Sequence, residues 1–112
     1  MGTSGTLGGE LRTAIRTRSF GLAMNVARQM PHLSLADALD LTMLAADKQP
    51  ERFGPLARRF LIRFIDEASP RLIDVKRLAD ALDQLGTTSD LPLLREEAER
   101  ALRDLTRTLR TL

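Results

Sequence analysis

The stretch SLADALDLTMLAADKQPERFGPLARRFLIRFIDEA, residues 34–68, decides how this chain folds. Ser34 belongs to the residue types whose side chain accepts from a free N–H at a helix start, and Asp37 follows at capping-box spacing. Asp37 also stands where the helix dipole favours a negative charge. At about 100° per residue, Leu35, Ala38, Leu39, Thr42 and Ala46 fall on one side of the helix. Leu41 and Leu44 then fall on the opposite side, between Asp37, Asp40 and Lys48. A helix with leucine on nearly every side has no face to spare for water, so it is expected at the centre of the fold.

Gln49-Pro50 turns the chain, and Pro50 suits a first helical position, where its missing N–H costs nothing. Beyond it Phe53, Ala57, Phe60, Leu61, Phe64 and Ala68 form one apolar stripe that ends at Ala68. Burying each large side chain is worth about 1.5–3 kcal/mol, so this stripe should dominate core stability. Pro55 is the irregularity, because its ring would clash with the Glu51 carbonyl unless the first turn is loosened or kinked.

Working outward, residues 1–8 read as a flexible N-terminal arm and residues 9–112 as a single helical domain. A first helix is predicted over 9–18 and a second over 20–30, stopped by Pro31. Ser69-Pro70 reads as an N-cap and first-position proline for a fifth helix, with Leu72, Val75, Leu78, Ala79, Leu82 and Leu85 facing in. Gly86 is its expected left-handed end. A last helix over 91–110 carries Leu94, Ala98, Ala101, Leu102, Leu105 and Leu109 inward. The fold class is therefore all-α, with five or six helices as consecutive antiparallel hairpins. Hairpins every 35–40 residues or so are also what tetratricopeptide and HEAT arrays show. LADALD occurs at Leu35–Asp40 and again at Leu78–Asp83, 43 residues on, but out of phase with the caps. A compact bundle and a short superhelix both fit.

The 112 residues include no cysteine, which removes disulfides, thiolate catalysis and cysteine-based zinc sites. His32 is the only histidine and lies in a turn, and no phosphate-loop, dinucleotide or nucleophile-elbow motif is present. No catalytic residue, metal ligand or cofactor site is expected, and the chain reads as no enzyme. MGTSGTLGG has neither a charged nor an apolar leader region and no run reaches the length of a transmembrane helix, so a cytoplasmic protein off the membrane is expected. The pI near 9.9 arises because 15 of 17 basic residues are arginine; the formal charge is only +2.

Two surfaces are left for a partner. Leu41, Leu44, Ile62, Leu109 and Leu112 are candidate interface residues, lying on sides that should be polar or near the chain's end. Either the N- and C-terminal helices cover the first three or a second molecule does, and the second case points to a protein–protein interaction module, by self-association or with another protein. The alternative is a small nucleic-acid-binding regulator that places phosphates on Arg52, Arg59 and Arg63, one narrow stripe of the fourth helix.

The pattern P-x-L-S-L-A-D-A-L-x-L-T-x-L (residues 31–44) followed by P-x-R-F-x-x-x-A-R-R-F (residues 50–60) resembles a set of short, uncharacterised all-helical actinobacterial proteins. The resemblance covers about residues 20 to 85 and implies no activity. Pro55 departs from it, falling where those sequences prefer ordinary helix formers.

Overall fold

In a computed structural model, residues 4–87 and 92–111 are described, and they form six helices with no strand among them. These are α1 (Ser4–Arg16), α2 (Phe20–Gln29), α3 (Leu35–Lys48), α4 (Pro50–Ala68), α5 (Leu72–Thr87) and α6 (Pro92–Arg110). Successive helices pair as α1–α2, α3–α4 and α5–α6, the predicted hairpins. Packing of α4 on α5 and of α6 back onto α3 then closes α3, α4, α5 and α6 into a ring. That closure makes the fold a bundle and rules out an open superhelix. The radius of gyration, 13.9 Å, is close to the roughly 13 Å of a globule of this length.

The ring encloses one core, in which Phe53, Phe60 and Phe64 meet Leu39, Leu78, Leu82, Leu85 and Leu102. Phe60 and Phe64 stack, with centroids 6.1 Å apart. A second core lies between α3 and the α1–α2 hairpin, built on Leu11, Phe20, Val26, Leu41 and Leu44. The central helix predicted from the sequence is thus a wall common to both. Ala36, Leu39 and Ala46 face the ring, and Leu41, Leu44 and Ala45 face the hairpin. Its start is capped as expected, with Asp37 N donating to Ser34 Oγ at 3.1 Å.

Asp37 itself does not complete a capping box. Its side chain is buried and accepts from Arg110 Nη2 at 2.9 Å; the same nitrogen donates to Asp40 Oδ2 at 2.6 Å. At the other end of α3, Asp47 pairs with Arg18 and, at 3.8 Å, with Arg95. Carboxylates at both ends of α3 therefore clasp both ends of α6, which runs antiparallel to it.

Several boundaries differ from the sequence reading. The first helix begins at Ser4, so most of the segment read as an arm is helical. It ends with Arg18 left-handed at φ 62°, and Ser19 N donates to Ala14 O at 2.8 Å. Ser69 is not the N-cap of α5. It terminates α4 in the left-handed conformation, φ 46°, and the Arg71 carbonyl receives the first N–H groups of α5, from Asp74 and Val75. Gly86 lies inside α5 with negative φ. Close packing explains it: a Cβ there would stand 2.9 Å from Cε2 of the buried Phe53 ring. Pro55 leaves α4 continuous, the adjustment falling in the first turn, where Arg52 N donates to Gln49 O at 2.9 Å.

Candidate functional site

The structure sorts the predicted interface residues sharply. Leu41 and Leu44 are 4% and 2% exposed, because α1 and α2 cover that side of α3, so the chain's own helices and not a second molecule enclose them. They are core residues and leave the list of interface candidates. Leu109, 9% exposed, is likewise closed into the ring core, where the Arg110 clasp draws the last turn of α6 onto α3. Leu112 lies outside the described residues. Of the described candidates Ile62 alone stands free, 67% exposed.

Ile62 has neighbours that the sequence did not single out. On α4, Arg58, Ile62 and Ile65 recur at i, i+4 and i+7 along the outer face. Leu72 was expected to face inward but is 84% exposed, because α5 starts at that residue and its first turn has no helix outside it. Ile73 beside it is exposed too. Since α4 and α5 are packed neighbours joined by Ser69, Pro70 and Arg71, these four apolar side chains gather toward one end of the pair. Leu94, another residue expected inward, is also partly exposed, at the start of α6.

The arginine stripe is divided. Arg52 and Arg59 are exposed, and their guanidinium groups bond to no described residue. Arg63 is committed: its Nε donates to Glu67 Oε2 at 2.7 Å and its Nη2 to the Leu33 carbonyl at 2.7 Å. It is a strut between α4 and the turn before α3, and is not free to contact a phosphate. The hydrogen bond from Arg63, aided by the charges of Arg63 and His32, holds the Glu67 carboxyl below its ordinary range, although desolvation acts the other way.

Beside this strut lies a cleft. Helices α2 and α4 both pack on α3 but scarcely touch each other, which leaves a furrow between them with α3 as its floor. Met24, Ala27, Leu33, Leu41, Leu56 and Phe60 line it. Thr42 is the polar residue of the floor, and its hydroxyl is spent on the Ala38 carbonyl at 2.8 Å. Arg28, Arg59 and Arg63 complete the lining, and no carboxylate residue belongs to it.

Among the described residues no three His, Cys, Asp or Glu side chains come together as a metal site. No described helix is long and apolar enough to cross a membrane. No family model, no curated protein and no solved structure matches this chain.

Proposed function

We propose that the chain is a non-enzymatic helical interaction module, docking a protein partner on the end of the α4–α5 pair that carries Ile62, Ile65, Leu72 and Ile73. The observation that supports this is concentration. Single exposed apolar residues are ordinary on any protein. Among the described residues, four of the seven exposed large hydrophobic side chains fall within residues 62–73. A patch of that kind is stabilised when a partner removes it from water, at about 25 cal/mol for each Å² buried.

A photo-crosslinking phenylalanine analogue placed at position 62, with position 100 on α6 as control, tests the proposal in the native cell. Sedimentation velocity of the purified chain covers self-association. A discrete adduct from position 62 that is absent from position 100, or a dimer dissociated by Ile62→Asp, supports it. A monomer that crosslinks no more from position 62 than from position 100 overturns it. Salt-dependent fluorescence anisotropy with duplex DNA, lost in an Arg52→Gln/Arg59→Gln variant, would favour the phosphate reading instead.

A further inference from the structure

The cleft between α2 and α4 has the composition of a small-molecule site, and it uses side chains that the docking face does not. Its apolar lining comes from three helices and the turn before α3: Met24 and Ala27 from α2, Leu41 from α3, Leu56 and Phe60 from α4, and Leu33 from the turn. Its volume is about 220 Å³. An apolar cavity of about 150 Å³ accepts a benzene ring, so this one holds a group of roughly six to eight carbons. An apolar ligand alone would fit such a lining. The rim adds a demand for charge.

Arg28 and Arg59 stand at the rim on opposite walls, Arg28 from α2 and Arg59 from α4, and neither has a partner among the described residues. Arg63 stands with them, already fixed by Glu67 and by the Leu33 carbonyl. With no Asp or Glu lining the cleft, two guanidiniums are left without a counter-charge around an apolar hollow. Guanidinium N–H groups suit carboxylate and phosphate oxygens equally. We propose that the α2–α4 cleft binds a small anionic amphiphile, a carboxylate or phosphate head on a short alkyl or aryl group. The chain or ring enters between Met24 and Phe60, and the head is held between Arg28 and Arg59. Arg63, its charge already met by Glu67, is a fixed part of the wall.

The test is a titration of the isotope-labelled full chain, followed by amide chemical shifts, with octanoate, octyl phosphate, 1-octanol and acetate. Saturable shifts confined to residues 24–28, 38–42 and 56–63 are expected with octanoate or octyl phosphate. 1-Octanol should bind at least about tenfold more weakly, because the charged hydrogen bonds are missing. Acetate should not saturate, because it leaves the apolar lining wet. The Arg28→Gln/Arg59→Gln variant touches only exposed side chains, so it should keep the fold and lose about tenfold or more in affinity for both anionic probes. No saturation by either anionic amphiphile at millimolar concentration overturns the proposal. So does equal binding of 1-octanol and octanoate, or equal binding of octanoate by the double variant. None of these outcomes bears on the α4–α5 docking face, so the two proposals stand or fall separately.

Discussion

Gly86 and Asp40 show how much a single position can owe to its surroundings. An exposed helical glycine normally costs about 0.5–1 kcal/mol relative to alanine. Gly9 in α1 has nothing within 4 Å of the place a Cβ would take, so Gly9→Ala should raise stability by about that amount. Gly86→Ala should give no such gain and should lower the urea midpoint, because the new methyl group meets the buried Phe53 ring and overpacking typically costs about 1–3 kcal/mol. A pair of urea titrations compares them directly. Asp40 makes the opposite point about charge. Burial pushes its carboxyl above the ordinary 3.8, despite the opposing hydrogen bond and charge of Arg110. The folded state therefore holds its proton more tightly than the unfolded chain does, and Asp40 contributes its stabilisation in full below pH 3.8 and loses it as the pH rises through the raised value. Asp40→Asn should accordingly gain on the wild type between acid and neutral pH, a trend that urea midpoints at several pH values will show or refute.

At the scale of the helix, α4 carries a compromise and α6 a restraint. Pro55 denies the Glu51 carbonyl its usual donor, and Gly54 before it avoids the clash that a Cβ makes with a following proline ring. The two are expected to be coupled. Pro55→Ala should stabilise by about 1 kcal/mol or more, while Gly54→Ala should gain its full 0.5–1 kcal/mol or so only in that background. A double-mutant cycle on thermal midpoints measures the coupling. In α6 the last turn depends on one side chain, since the Arg110 guanidinium is the partner of buried Asp37. Arg110→Met should cost about 1–3 kcal/mol, the penalty for leaving a buried polar group unpaired, and amide exchange should quicken first at residues 106–110. What the sequence revealed at this scale was local. The Ser34 cap, the Pro31 stop and the aromatic stripe of α4 could all be read because each depends on residues within a turn or two. Ser69 misled because serine serves equally well as an N-cap, and only the path of the backbone makes it the left-handed end of α4. Leu72 misled because periodicity assigns a face without saying whether another helix reaches it.

For the molecule as a whole, the ring of α3 to α6 and the α1–α2 hairpin share a single wall. The sequence indicated that α3 must be surrounded, but not by which helices. Ring closure rests on pairs such as Asp37 and Arg110, 73 residues apart, which no local pattern records. The α2–α4 cleft was out of reach for a related reason, being defined by two helices that scarcely touch. Reading Leu41 and Leu44 as an interface was mistaken for the full chain, yet it describes what a shortened one would present. A fragment of residues 33–112 should keep its helicity and associate or aggregate, because Leu41, Leu44 and Leu56 lose the cover of the hairpin. Sedimentation of that fragment beside the intact protein decides the point, and a well-behaved monomer would count against the two-core description.

A wall that serves two rooms has no outside. In a saturation-mutagenesis survey, most helices of a protein show tolerance to polar residues that rises and falls once per turn. Here that ripple should run through α4, α5 and α6 and then flatten across α3, whose circumference is almost entirely occupied. Drift in this lineage would therefore be slowest along residues 36–46, whatever the molecule turns out to bind.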